Sequence, residues 1–323
     1  MLKLLHYEAT TPALWQGRAD SLPHERFFQH VKCVDIRRSS LKNAPQIAFA
    51  GFCSDEGIQR NEGRLGAKKG PYQLRQQLAK LACHSKMSFI DVGNVVCDDG
   101  DLETAQKEFA KLIHHCHQEG IKTIAFGGGH EIAWPHFQGL QPHYPKLGII
   151  NIDAHFDLRP LPPSQLGTSG TPFWQIHQHC EALKQAFGYC CLGIQPAGNT
   201  RSLFKRAQDL GVKYLTAEQI NLESLAWQTA FLNDFMRQYD YLYLTICLDA
   251  FAESAAPGVS APQALGLSPW QVAPLLKCIA QSGKVVGIDI AELSPPLDSE
   301  QKTSRLAAVI IAELLNLKEY TNE

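Results

Sequence analysis

The chain has 323 residues, 45% of them hydrophobic and 19% charged, a composition that can fill a large buried core and is too apolar for a disordered chain. A formal net charge of −2 supplies no basic field for a nucleic acid or an anionic bilayer, so the expected partner is a small molecule. The opening MLKLLHYEATTPALW lacks the long apolar stretch and cleavage site of a secretory signal, and no apolar run approaches the length of a membrane span. Ten scattered cysteines with no C-x-x-C pair point to reduced, buried thiols in a cytoplasmic protein.

In chain order, residues 1–44 are expected to be irregular. From there, short β-branched or aromatic runs alternate with amphipathic stretches. The strands expected are 46–53, 88–96, 122–129, 147–155, 186–194, 212–220, 241–249 and 284–293. The helices expected between and after them are 70–83, 101–118, 201–210, 268–283 and 299–317, where apolar residues recur at spacings of three and four. Several strands are apolar on both faces, as strands covered by helices on both sides must be. The expectation is a single domain over 1–323, an α/β fold of three αβα layers around a mainly parallel sheet of roughly eight strands. A long segment, 158–172, follows a strand's C-terminal end, where open parallel sheets bind ligands.

The strongest chemical signal is NIDAHFD, 151–157. Residues two apart on an extended chain point the same way, so Asp153, His155 and Asp157 converge. Burying carboxylates together is costly unless a cation neutralises them, and a mixed Asp/His set suits manganese, iron or zinc. The alternative is a solvated strand end with its charges facing water. His130 follows three glycines in IAFGGGHE, 124–131, where the chain can pass close to another group. Cys247 and Asp249 share one face of LTICLDAF, 244–251, and Glu292 ends a fourth strand in DIAELSPPLD, 289–298. Two other clusters are set aside. His114, His115, Cys116 and His117 are adjacent on a helix and fan out around it, while Lys68, Lys69 and Arg75 lack phosphate-loop spacing and read as a solvated helix start.

These four segments, in this order and at these separations, together with GFCSDEGIQRNEGRLGAKKGPYQLR at 51–75, resemble the ureohydrolase (arginase and agmatinase) family over about 46–318. HFDLRP, SGTPF (169–173), GIQPAGNTR (193–201) and APGVSAP (256–262) are similar to the branch that hydrolyses N-formimino-L-glutamate in histidine breakdown. The resemblance implies two Mn²⁺ ions per subunit. One would be held by His130, Asp153, Asp157 and Cys247, the other by Asp153, His155, Cys247 and Asp249, with a hydroxide between them as nucleophile on the formimino carbon. It also implies that Glu292 holds the amidinium, that Asp157 receives or relays a proton, and that glutamate and formamide leave.

This chain departs from the family at three points, one of them AES at 252–254, where relatives commonly carry an Asp-Pro-containing turn and the residues are expected to shape the loop rather than bind metal. Cys247 stands where relatives carry an Asp, so a soft thiol occupies a position expected to bridge hard cations; the other reading is a buried core thiol. Phe173 stands where arginase-like relatives carry a shuttle His, which argues against arginine as substrate. A dianionic substrate needs fixed cations or donors, and the candidates are Arg159, Asn61, Arg64, Gln195, Asn199 and Arg201. Agmatine or guanidinobutyrate hydrolysis, or a catalytically silent metal-binding relative, are the competing expectations. Oligomeric state is left open, with a homo-oligomer compatible with everything above.

Overall fold

A computed structural model describes residues 2–317. All eight expected strands form: β3 (Ile47–Cys53), β4 (Phe89–Val96), β5 (Lys122–Phe126), β6 (Leu147–Ile152), β7 (Gly188–Ile194), β8 (Lys213–Thr216), β9 (Tyr241–Cys247) and β10 (Val285–Ala291). Two more lie in the stretch expected to be irregular, β1 (Tyr7–Glu8) and β2 (Val31–Cys33). The sheet runs β1-β4-β3-β5-β10-β9-β6-β7-β8, with β2 also on β4. Only the β1–β4 pairing is antiparallel.

Period-two alternation along the strands divides the core between two faces. Phe49, Ile150, Ile152, Leu244 and Ile246 pack on one side with helices α2 (Gly70–Leu78), α8 (Leu225–Met236), α9 (Pro269–Gln281) and α10 (Lys302–Asn316). Phe52, Ile149 and Tyr243 pack on the other with α3 (Leu102–Gln118), α4 (Ala133–Leu140), α5 (Pro172–Ala182) and α6 (Arg201–Asp209). Three layers result, as the doubly apolar strands require. Shorter helices α1 (Glu56–Arg60) and α7 (Ala217–Leu222) fill connections. Helices α4, α5 and α8 were not among those expected; Pro135 inside α4 and the aromatic-rich start of α5 mask their periodicity.

The expected strand at 212–220 is shorter than anticipated, because Thr216 caps α7 in a reciprocal box with Gln219. Arg75 corrects another expectation: it is fully buried, not solvated. Its guanidinium forks onto Asp91 at 2.7 and 3.0 Å, and Trp15 Nε1 donates to the same carboxylate at 2.7 Å. The N-terminal segment is thereby pinned to the core. All ten cysteines are free thiols, eight buried and Cys33 and Cys278 half-buried. Among the described residues no helix is long and apolar enough to cross a membrane.

Candidate metal and substrate site

The four neighbouring central strands β5, β10, β9 and β6 each deliver a motif to the same edge. In register, Ala291 lies beside Cys247 and Ile152 beside Ile246, so His130, Glu292, Cys247, Asp249 and the Asp153–Asp157 run emerge side by side. This is the carboxyl edge at which parallel sheets bind ligands. The triple glycine works by close approach: a Cβ on Gly128 would stand 1.9 Å from the Ser54 carbonyl oxygen. The turn is tied to β10 by Glu292 N–H donating to Gly128 O (2.8 Å) and His130 N–H donating to Glu292 Oε1 (3.0 Å).

His130 Nδ1 lies 2.9 Å from both Asp153 Oδ2 and Asp157 Oδ2. His155 Nδ1 lies 3.2 Å from Asp249 Oδ2 and 3.6 Å from Asp153 Oδ1. Two donor groups of metal-binding size share Asp153: His130 with Asp153 and Cys247, and Asp153 with His155 and Asp249, each with its ligand atoms within 4.8 Å of one another. Asp157 meets the first group through His130, whereas Cys247 does not fall in the second. Asp157 and Glu292 both adopt left-handed backbone, φ 46° and 70°, a strained conformation for such residues that clusters at functional sites.

Charge explains what the cluster needs. Asp153, Asp157, Asp249 and Glu292 face only two imidazoles, and all four carboxylates lie in or against the core. Burial, then the Asp153 charge, raises Asp157 and Asp249 above the usual carboxylate range. Burial, then Asp249 and Glu131, pushes Glu292 well up. Burial and the surrounding carboxylates also hold the Cys247 thiol well above its ordinary value. Burial opposes charge on His155, but Asp249 and Asp153 overcome it and lift it to about 12. Asp249 Oδ1 and Glu292 Oε2 are buried with no partner. Unpartnered buried oxygens among crowded carboxylates that resist ionising together are the donor chemistry a divalent cation satisfies, so the residues present fit a metal centre.

The cleft above them has a volume of about 300 Å³. Asn61, Arg64 and Arg159 line it. Arg159 Nη1 donates to Asn61 Oδ1 at 3.3 Å. Arg64 donates from Nε to Ser260 O (3.0 Å) and from Nη2 to Val259 O (2.6 Å). Neither arginine has a carboxylate within ion-pair distance among the described residues.

The other three expected substrate contacts are placed differently from Asn61, Arg64 and Arg159. Arg201 opens on a different depression, with Phe204 and Tyr214. Gln195 does not line the cleft and donates to Leu265 O at 2.7 Å. Asn199 borders the cleft, but its amide is committed to backbone: it accepts from Phe156 N–H (3.0 Å) and donates to Ala154 O (2.9 Å) and Gln195 O (2.8 Å). It braces the loop that presents His155 and Asp157. Phe173, fully buried, lies edge-on to His130 at 5.4 Å and stacks on Tyr189 at 4.3 Å, an apolar wall with no proton to move.

Residues not singled out also serve the site. Asn151 Nδ2 donates to Asp153 Oδ2 at 2.9 Å, and His130 Nε2 meets Thr245 Oγ1 at 2.9 Å. Ser169 and Ser260 line the cleft. Asn151 and Thr245 were legible as polar residues inside strands otherwise apolar on both faces, where an unpartnered polar group is costly.

A sequence model of the arginase family matches residues 45–316. The chain belongs to the arginase family. It is 58% identical over 313 residues to a formimidoylglutamase of Legionella pneumophila (strain Lens), covering 97% of this chain and 98% of that one. It is 41% identical over 322 residues to a formimidoylglutamase of Ralstonia nicotianae, covering 97% of each. Among solved structures, formimidoylglutamase from Bacillus subtilis superposes with a TM-score of 0.81 at 21% identity, over 95% of this chain and 97% of that one. A Trypanosoma cruzi formiminoglutamase described with Mn²⁺ superposes at 0.78 with 23% identity, over 90% of this chain and 97% of that one. Both superpositions share the arginase fold.

Proposed function

We propose that this arginase-family chain hydrolyses N-formimino-L-glutamate to L-glutamate and formamide, a step of histidine degradation, with two Mn²⁺ ions at the cluster. The observation that carries the substrate is the pair of arginines on the cleft wall, Arg64 and Arg159, which among the described residues have no carboxylate within ion-pair distance. The substrate has two carboxylates and one amidinium, and the cleft offers a cationic mouth over an acidic floor. Agmatine has no carboxylate and would leave both guanidiniums unmatched.

His130, Asp153, Asp157 and Cys247 would hold one ion, and Asp153, His155, Cys247 and Asp249 the other. Bound cations of this kind lower the pKa of a coordinated water from about 16 toward about 7 and so supply hydroxide at neutral pH. Glu292 Oε2, buried and unpartnered at the cleft floor, holds the protonated formimino group and fixes the carbon that water attacks. Asp157, at the cleft and within reach of His130, takes a proton on its carboxylate and returns it to the departing glutamate nitrogen. The bond between the formimino carbon and that nitrogen breaks. Arg159, Asn61 and Arg64 orient the carboxylates, and Phe173 excludes water from beside His130. The ten free thiols support a reducing, cytoplasmic setting.

Steady-state assays of the Mn²⁺-saturated chain with formiminoglutamate, agmatine, guanidinobutyrate and arginine test this reading. The expected result is a kcat/KM for formiminoglutamate at least ~100-fold above the others, the size of losing a charge-assisted contact. Faster agmatine turnover would overturn it, and no turnover of any amidine would favour a silent metal-binding relative.

A further inference from the structure

A line of polar side chains, buried except for the half-buried Tyr144 at its end, runs between the sheet and helices α3 and α4. Asp289 on β10 stands directly opposite Thr245 on β9, and both are fully buried. Thr245 Oγ1 donates to Asp289 Oδ1 at 2.5 Å. Asp289 Oδ2 accepts from the Tyr243 hydroxyl and from His136 Nδ1, the latter at 2.7 Å. The line continues from His136 Nε2 to Thr123 Oγ1 (3.0 Å), from Thr123 to His117 Nε2 (3.0 Å), and from His117 Nδ1 to the Tyr144 hydroxyl (2.9 Å). Gly287, two residues before Asp289, makes room for it: a Cβ there would stand 3.1 Å from His136 Nε2.

We propose that Asp289 is a positioning residue which, through the Thr245 hydroxyl, keeps the single ring proton of His130 on Nε2 and so presents a bare Nδ1 to the cation site. The inference rests on the metal-centre reading above. Its logic is the direction of each hydrogen bond. A carboxylate has no proton to give, so Thr245, Tyr243 and His136 must all donate to Asp289. Having spent its proton on Asp289, the Thr245 hydroxyl can only accept from His130, which must therefore carry its proton on Nε2. On the far side, His136 with its proton on Nδ1 accepts at Nε2 from Thr123, which accepts from His117, which accepts from Tyr144. Burial holds His117 down to about 3, which keeps it neutral and able to accept.

The obvious alternative use of such a line is a proton wire from the cleft to the opposite edge of the sheet. Hydrogen-bond direction argues against it, because donors run toward Asp289 from both ends and no single sense of transfer crosses it. The arrangement instead sets orientation: one anion determines the tautomers of three histidines, His130, His136 and His117.

Mn²⁺ affinity measured by isothermal titration on the full chain tests this, with Thr245→Val, Thr245→Ser, Asp289→Asn and Tyr243→Phe. Removing an outer partner of a ligating histidine typically costs about 10- to 100-fold in metal affinity. Thr245→Val and Asp289→Asn should show that loss, since the amide would press Thr245 to donate toward His130 and move the ring proton to Nδ1. Thr245→Ser should retain wild-type affinity, and so should Tyr243→Phe, which removes a contact to Asp289 off the path to His130. In the Zn²⁺-loaded chain, ¹⁵N NMR should show a proton directly bonded to His130 Nε2 in the wild type and in Thr245→Ser. Equal Mn²⁺ affinity in wild type and Thr245→Val overturns the inference and leaves the metal reading standing. A wild-type chain that binds no Mn²⁺ overturns both.

Discussion

Arg159 and Asn61 meet across the mouth of the cleft, guanidinium Nη1 to amide Oδ1 at 3.3 Å. The contact joins the loop after β3 to the loop after β6 and leaves the arginine's charge available. Arg159→Ala should raise KM for formiminoglutamate with little change in kcat, lowering kcat/KM by about 10- to 100-fold, the worth of one charge-assisted hydrogen bond. Initial-rate kinetics check it. An unchanged kcat/KM would remove Arg159 from carboxylate binding.

Cys247 is a thiol among carboxylates, and soft sulfur prefers softer cations than Mn²⁺. Cys247→Asp should tighten Mn²⁺ binding and weaken Zn²⁺ and Cd²⁺ binding, each by about tenfold or more. Competitive metal titration reads both. Equal affinities in the two proteins would make Cys247 a core thiol only.

Arg75 and Asp91 form an ion pair inaccessible to solvent on either side. Removing one member of such a pair leaves the other charged and unpaired, at a cost of about 3–5 kcal/mol. Arg75→Met should lower unfolding free energy by that amount, measured in urea. A change below about 1 kcal/mol would mean that Asp91 is held by Trp15 and the Gly93 N–H alone.

His117 is kept neutral in the fold, held to about 3 by burial and by the neighbouring His136 and His143, while an unfolded histidine titrates near 6.5. Its folded value lies below its unfolded one. The unfolded chain therefore binds the extra proton between those limits, and stability falls as pH drops from about 6.5 toward 3. By pH 5 the loss amounts to ~2 kcal/mol. Denaturation curves at pH 7.5 and pH 5 should show this difference, and His117→Gln should reduce it. An undiminished slope in the variant would assign the pH dependence to other groups.

Much of the fold was legible because its strands are short, apolar on both faces and separated by amphipathic helices; β3, β6, β7 and β9 lie where that pattern places them. The cluster was legible for a related reason: charged residues at alternate positions at and just past the expected end of a buried strand, as in Asp153, His155 and Asp157, have few structural uses, although β6 stops at Ile152 and the three converge from the loop that follows. Other features depend on partners far away in sequence. Nothing local distinguishes Arg75, buried on Asp91, from a solvated arginine. Arg201 stands close to Asn199 in the chain, yet α6 carries its side chain to another depression, and Asn199 turns its amide to the backbone. Thr245 and Asp289 acquire their meaning only when β9 and β10 pair.

The most direct measurement is product analysis. The Mn²⁺-saturated chain is incubated with N-formimino-L-glutamate and followed by ¹H NMR. Attack on the formimino carbon with departure of the glutamate nitrogen predicts formamide and L-glutamate in equal amounts, stopping on chelation and resuming when Mn²⁺ is restored. N-formylglutamate with ammonia, or no metal-dependent product at all, would contradict the account.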